Sequence, residues 1–222
     1  MILIFCGGKY NLDFCREYLN NKEFDTIICT DSGLNTCHAL KRIPDIIIGD
    51  FDSVDMDILK EYKNKNIPIE KYPVEKDETD LELAIVKAVE LSTENNDNND
   101  TDVVILGATG GRMDHLLANI DLLYYALCSG VRAEIIDSYS RLYFIKESTR
   151  IYKENLYGKY ISLVPYAGNV KGLTLKGFKY ETVDYTLEKG RSRGISNECC
   201  EDSSVMDISF DEGVLMVVES NG

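Results

Sequence analysis

Residues 102–119 read Asp-Val-Val-Ile-Leu-Gly-Ala-Thr-Gly-Gly-Arg-Met-Asp-His-Leu-Leu-Ala-Asn, and they carry the clearest structural signal in the chain. The first five form a short aliphatic run, typical of a buried strand. Three glycines then lead into a segment whose apolar residues recur at helical spacing, namely Leu116, Leu117, Ile120, Leu123 and Tyr124. A strand that passes through a glycine-rich turn into a helix predicts one unit of a parallel sheet covered by helices.

The same alternation of aliphatic runs and helical segments extends outward from this unit, from the start of the chain to about residue 137. The predicted strands are residues 2–6, 26–30, 46–49, 67–72, 102–106 and 133–137. A further helix is predicted after Thr79, where apolar residues again follow the helical period. We therefore predict an α/β domain over residues 1–139, with a mostly parallel sheet and flanking helices in a Rossmann-like arrangement.

Beyond about residue 137 the apolar runs have the length of strands, and glycine and asparagine separate them. Residues 141–145, 160–164 and 205–210 are the clearest of these runs. Residues 206–218 are expected to form a hairpin, because a turn containing Gly213 separates two apolar runs. We predict a smaller all-β domain, similar to a sandwich or barrel, over residues 140–222.

The charge of the chain limits its partners. It has 24 Lys and Arg against 38 Asp and Glu, a formal net charge of −14 at pH 7. Such a surface repels nucleic acid and anionic membranes, so neither is an expected partner. An anionic substrate would need divalent cations between itself and the carboxylates, since bare carboxylates repel phosphate.

The cysteine pattern indicates the cellular compartment. The chain has seven cysteines and no CxxC pair, which is typical of reduced thiols in the cytosol. Its first residues lack the basic flank and the length of a signal peptide, and no run approaches the roughly 18 apolar residues of a membrane span. We expect a cytoplasmic protein.

Glycine and aspartate follow the predicted strands of the first domain. Because carboxyl ends of parallel strands share one edge of a sheet, these residues are expected to lie together. They occur in Gly7-Gly8, in Asp31-Ser32-Gly33, in Gly49-Asp50-Phe51-Asp52-Ser53, in Lys76-Asp77-Glu78-Thr79-Asp80 and in residues 107–115. Backbone amides and carboxylates in this combination predict a site for magnesium and a polyphosphate.

Several of these residues also have purely structural interpretations. Asp50 and Asp52 stand two apart, so on an extended chain both face one side and can share an ion, but Asp is also common in solvated turns. Thr79 and Glu82 fit a helix capping box, and Asp80 can interact with the positive helix end as well as with a metal. These alternatives remain open at the level of sequence.

Several of these segments, together with one in the second domain, resemble the motifs of the thiamine pyrophosphokinase family and occur in the same order along the chain. The family pattern has an Asp-Gly loop after the second strand, then PDxxxGDFDS, KDxTDxExA, GATGGRxDHxLAN and a late GxSNE. The matching segments are residues 31–33, 44–53, 76–84, 107–119 and 194–198. The chain has Asp31-Ser32-Gly33 where the family usually has Asp-Gly-Gly, so Ser32 replaces a glycine.

The resemblance implies a catalytic, nucleotide-binding α/β domain, a β-sandwich-like thiamine-binding domain, and a homodimer with active sites at the subunit interface. It implies transfer of a diphosphate group from ATP to the hydroxyl of thiamine, which gives thiamine diphosphate and AMP and requires Mg²⁺.

The resemblance also assigns residues to roles. The implied metal ligands are Asp50, Asp52 and Asp80, and the implied catalytic residues are these three with Asp77 and Arg112. The implied nucleotide-binding residues are Asp31, Gly33, Lys76, Thr79, Gly110, Arg112 and Asp114. Thiamine is implied to contact Ser196, Asn197 and Met216, the last of which stands where animal members carry a Trp.

Two other functions fit parts of the sequence. Residues 50–54 satisfy the DxDx[TV] pattern of haloacid-dehalogenase-type phosphatases, in which Asp50 would be the nucleophile. Against this, the motif follows the third predicted strand instead of lying near the start of the chain. A non-catalytic thiamine or nucleotide sensor would retain the pocket, but it would not need acidic residues at the metal positions.

Overall fold

The computed structural model describes residues 1–20, 22–94 and 102–222, and these residues form two compact units. The first unit spans Met1–Ser138 and the second spans Tyr139–Gly222. Within the described ranges, no helix has both the length and the apolar character needed to cross a bilayer.

Strands and helices alternate in the first unit, which confirms the predicted α/β class. The strands are β1 (Ile2–Phe5), β2 (Thr26–Thr30), β3 (Ile46–Gly49), β4 (Ile69–Lys71), β5 (Asp102–Leu106) and β6 (Arg132–Ile136). The helices are α1 (Leu12–Asn20), α2 (Gly33–Ala39), α3 (Met56–Asn64), α4 (Asp80–Glu94) and α5 (Met113–Cys128). These strands pair in parallel, in the order β6-β5-β1-β2-β3-β4.

The central strands are apolar at successive positions because both faces of the sheet are covered. All of β1 is buried, and β5 is buried from Val103 to Leu106, as expected of a parallel sheet between helices. At the start of α4, Thr79 Oγ1 accepts a hydrogen bond from the Glu82 N–H at 3.2 Å. This contact is the Thr79 half of the capping box that the sequence pattern predicts.

The second unit contains antiparallel strands in two sheets. Its strands are β7 (Ser140–Ile145), β8 (Thr149–Tyr152), β9 (Tyr160–Pro165), β10 (Val170–Lys176), β11 (Thr182–Leu187), β12 (Asn197–Glu198), β13 (Val205–Ser209) and β14 (Leu215–Ser220). One sheet has the order β12-β9-β14-β7 and the other has the order β11-β10-β13-β8. Side chains from both sheets form the core of this unit, so it is a β-sandwich.

The predicted hairpin over residues 206–218 is wrong. Strand β13 pairs with β10 and β8, whereas β14 pairs with β7 and β9. The chain crosses from one sheet to the other between them, and Met206, Ile208, Leu215 and Val217 enter the same core from opposite sides. Both strands therefore have the apolar alternation of a hairpin without being paired to each other.

Candidate active site

A cleft lies at the carboxyl edge of the parallel sheet, where the strand order reverses. Strand β2 lies on one side of β1 and β5 lies on the other, and the loops that follow β1 and β5 form walls of the cleft. Open α/β sheets bind ligands at such a point. The cleft has a volume of about 270 Å³ and is lined by Cys6, Gly7, Gly8, Thr30, Asp31, Thr79, Asp80, Leu81, Gly107, Ala108, Thr109, Gly111, Arg112, His115 and Asn119.

The two glycine loops touch each other through their backbones. A Cβ atom on Gly8 would overlap the carbonyl oxygen of Gly107. Gly107 has φ +78°, a conformation that side-chain-bearing residues rarely adopt. Asn119 Nδ2 donates to the Ala108 carbonyl at 2.9 Å and fixes the second loop from the side of α5. Without side chains here, an anion can approach the loop backbone closely.

Carboxylates from two neighbouring loops converge beside the cleft. Asp31, Asp50 and Asp52 each offer an oxygen, and these oxygens lie within 4.8 Å of one another. Between the last two, Phe51 has φ +68° and a buried ring, and Asp50 Oδ1 accepts from the Asp52 N–H at 3.0 Å. The two carboxylates thus meet across a turn at Phe51 and can share an ion without the extended chain considered from the sequence.

Asp80 also lines the cleft, but it forms an ion pair with a lysine. Its Oδ1 lies 2.5 Å from Lys76 Nζ, and a Cβ on Gly49 would lie 3.5 Å from the Asp80 carboxylate. The structure therefore groups Asp31 with Asp50 and Asp52 and leaves Asp80 beside them in its ion pair. The available signal for Asp31 was its position after β2, which pairs directly with β3.

The charges of this group repel one another. Burial is the main reason why the pKa of Asp31 is raised, and the nearby carboxylates of Asp80 and Asp52 raise it further. A divalent cation between these oxygens would offset the repulsion, and carboxylate oxygens are the ligands that Mg²⁺ prefers. The donor set is therefore suited to Mg²⁺.

The effect of Asp31 on stability depends on pH. A carboxyl group whose pKa is raised on folding stabilises the folded state when protonated, and this contribution is lost as pH rises through the raised pKa. In EDTA, we expect wild-type stability relative to Asp31→Asn to fall as pH rises from about 4, the ordinary pKa of an aspartate, through the raised pKa of Asp31. Urea unfolding across this range measures it; a constant or rising difference would contradict the proposed repulsion.

Arg112 and Asp114 bind each other at the start of α5. Arg112 Nε lies 3.1 Å from Asp114 Oδ1, and its Nη2 lies 2.5 Å from Oδ2. This guanidinium lowers the pKa of the Asp114 carboxyl group, which makes Asp114 a weak proton acceptor. Arg112 lines the cleft and could bind an anion with the rest of its guanidinium.

The other residues predicted to bind the nucleotide or to act in catalysis lie in different surroundings. Gly33 is buried at the start of α2, where a Cβ would overlap the Phe5 carbonyl, so it packs against β1. Gly110 has φ +76°. Asp77 is exposed in the loop before α4, and Thr79 lines the cleft.

The predicted thiamine residues belong to the second unit. Asn197 is buried, and its side chain accepts from the Tyr180 N–H at 3.0 Å and donates to the Tyr180 carbonyl at 2.8 Å. Ser196 has φ +56°, and its N–H donates to Ser162 Oγ at 3.0 Å. Met216 is half-buried on β14. Asn197 thus holds the chain next to Ser196 in place.

Comparison with known proteins gives consistent matches over both units. Residues 16–135 match the family "Thiamin pyrophosphokinase, catalytic domain", and residues 148–215 match "Thiamin pyrophosphokinase, vitamin B1 binding domain". A thiamine pyrophosphokinase of Bacillus subtilis is 31% identical over 221 residues, which cover 99% of this chain and 98% of that protein.

Solved structures agree with these matches. The thiamine pyrophosphokinase structure from Bacillus subtilis has a TM-score of 0.85 at 29% identity, over 100% of this chain and 99% of that one. The one from Geobacillus thermodenitrificans has a TM-score of 0.81 at 28% identity, over 100% and 98% of the two chains. The phosphatase and sensor interpretations are not favoured. Matched by family over most of its length and by a full-length relative, the chain belongs to the thiamine pyrophosphokinase family.

Proposed function

We propose that the protein transfers a diphosphate group from ATP to the hydroxyl of thiamine, which gives thiamine diphosphate and AMP. The observation that carries this proposal is the position of the acidic group beside two glycine loops at the switch point of the sheet. Family membership supports the choice of substrates. A protein of net charge −14 needs cations to bind a triphosphate, and this site is suited to hold them.

Mg²⁺ is the proposed metal. Asp50, Asp52 and Asp80 are the ligand set implied by the sequence, and the proximity of Asp31 to the first two supports it as a further carboxylate of the site. When bound, Mg²⁺ would neutralise charge on the triphosphate and favour displacement at phosphorus. Lys76 is a compact cation next to Asp80 and is proposed to bind phosphate oxygens as well.

Besides the metal, the main contribution to catalysis is proposed to be the positioning of the phosphates and of the thiamine hydroxyl. Backbone amides of the two glycine loops are proposed to bind the phosphates, with Arg112 at the start of α5 as a further anion ligand. Diphosphate transfer needs alignment of the attacking hydroxyl with the β-phosphorus more than it needs a strong base. Because Asp114 is bound by Arg112, Asp77 is the preferred candidate for proton acceptor.

Thiamine is proposed to bind through the second unit. Ser196 and Met216 are the proposed contacts, with the thioether of Met216 against the thiamine ring. Asn197 contributes by holding the adjacent backbone, since its side chain is bonded to Tyr180. The description of the family over residues 148–215 as a vitamin B1 binding domain supports this division of roles.

We also propose that the protein is a homodimer with active sites at the subunit interface. We propose that it is located in the cytoplasm. Helix α5 begins at the cleft and leaves Met113 and Leu117, one helical turn apart, 69% and 59% exposed. Neighbouring exposed apolar side chains at the mouth of the cleft support an interface on this face. The seven cysteines are free thiols, which suits a reducing compartment.

The dimer can be tested with a single charged side chain. Leu117→Asp places a carboxylate in the proposed interface, so we expect the mass from light scattering to fall from dimer to monomer. Ile43→Asp is the matched control, because Ile43 is 61% exposed elsewhere in the same unit. A wild-type monomer, or a Leu117→Asp variant that remains dimeric, would contradict the proposal.

One assay tests the reaction. AMP release from ATP and Mg²⁺ is followed with and without thiamine, and the expected result is AMP formation that requires thiamine and yields thiamine diphosphate in equal amount. Release of inorganic phosphate without thiamine, with a phosphorylated Asp50, would instead support a phosphatase. Binding of thiamine without any turnover would support a sensor.

A further inference from the structure

We propose that Tyr10 is a positioning residue that holds the two glycine loops of the cleft at the spacing that ATP requires. The inference rests on the proposed assignment of this cleft to the nucleotide. Tyr10 lies between β1 and α1, outside the sequence blocks that carry the family resemblance.

The hydroxyl of Tyr10 joins the ends of two neighbouring strands. Its single proton is shared between two acceptors, the Cys6 carbonyl and the Leu106 carbonyl, the second of which lies at 3.0 Å. The Cys6 N–H also donates to the Leu106 carbonyl, at 2.9 Å. Both glycine loops begin at the next residue of their strands, so this hydroxyl lies at the point where they separate.

The ring of Tyr10 fills the space beside the second loop. A Cβ on Gly107 would overlap the end of the ring that carries the hydroxyl, and the ring centroid lies 6.3 Å from that of Phe5 in the sheet core. Burial raises the pKa of Tyr10 well above its ordinary value, so the hydroxyl remains protonated and able to donate.

This contact affects the cleft because its walls are made of backbone. Glycine loops lack side chains that could interlock, so their spacing depends on the backbone contact between Gly8 and Gly107 and on what lies behind the loops. The Tyr10 hydroxyl contacts the carbonyls at both loop origins, while the loops themselves line the cleft. Amides that are already held in place bind an anion more tightly, because the loops lose less conformational entropy when the anion binds.

Tyr10→Phe removes the hydroxyl and keeps the ring, so it tests the contact directly. We expect the KM for MgATP to rise about five-fold, with the KM for thiamine unchanged. Tyr62→Phe is the matched control: the Tyr62 hydroxyl also donates to a backbone carbonyl, that of Arg42, at 3.2 Å, but in α3 and away from the cleft. Both variants should lose similar thermal stability, and only Tyr10→Phe should lose affinity for MgATP.

The outcomes separate this inference from the proposed function. An active wild type whose Tyr10→Phe variant has the KM for MgATP of the Tyr62→Phe control would overturn the positioning role and leave the reaction intact. A wild type that forms no AMP from ATP and thiamine would overturn the proposed function itself. Calorimetry with a non-hydrolysable MgATP analogue provides a second readout, in which a five-fold weaker Kd for Tyr10→Phe is expected.

Discussion

Asp50→Asn is expected to lower kcat by about a thousandfold while the protein remains folded. Asp50 contributes a carboxylate oxygen to the acidic group, and an amide oxygen at the same place carries no charge to hold Mg²⁺. The variant should still fold, because Asp50 is only half-buried and the loss of one charge reduces repulsion at Asp31 and Asp52. Steady-state kinetics and thermal unfolding in EDTA measure both effects.

The control for this prediction carries the same change at a neighbouring exposed carboxylate. Asp57 lies in the first turn of α3 and pairs with Lys60 at 3.1 Å, away from the cleft. Asp57→Asn should therefore retain nearly full kcat. Near-normal kcat in Asp50→Asn would remove Asp50 from the proposed metal ligands.

Gly8→Ala is expected to lower kcat/KM for MgATP by about a hundredfold. The new methyl group would overlap the Gly107 carbonyl oxygen, and backbone cannot move aside as the end of a flexible side chain can. The two glycine loops must then separate, which displaces the amides proposed to bind phosphate. Kinetics at varied MgATP measure the loss.

Gly111→Ala tests whether this result comes from the backbone contact or merely from substitution of a glycine. Gly111 lines the same cleft, but a Cβ there would have no atom within 4 Å. This variant should retain kcat/KM to within about threefold. Equal losses in Gly8→Ala and Gly111→Ala would show that the contact between the loops is not the cause.

The α/β class follows from the sequence because its strands are buried on both faces. Such strands are apolar at successive positions, so residues 26–30, 46–49 and 102–106 were predicted with the bounds that the structure has. The prediction for β4 was too long, since the structure has only Ile69–Lys71 in place of residues 67–72. This strand lies at the edge of its unit's sheet and pairs with β3 alone, so pairing ends where β3 ends.

The site was predictable only as far as topology determines it. Parallel strands bring their carboxyl ends to one edge, which is why Asp50 and Asp80 were both expected at the cleft. The ion pair of Asp80 with Lys76 depends on side-chain conformation, and the position of Asp31 depends on its φ of +43°. A pattern of residue types contains neither quantity. Nor does it show which sheet a strand joins, as β13 and β14 demonstrate.

The interior position of β14 has a consequence for biosynthesis. This strand lies between β9 and β7 although it follows both in the chain, so neither neighbour can complete its ladder until residues 215–220 have left the ribosome. A nascent chain without them would expose two unpaired strand edges, which favour aggregation. The sandwich is therefore expected to form late, after the strands that surround this position have been translated.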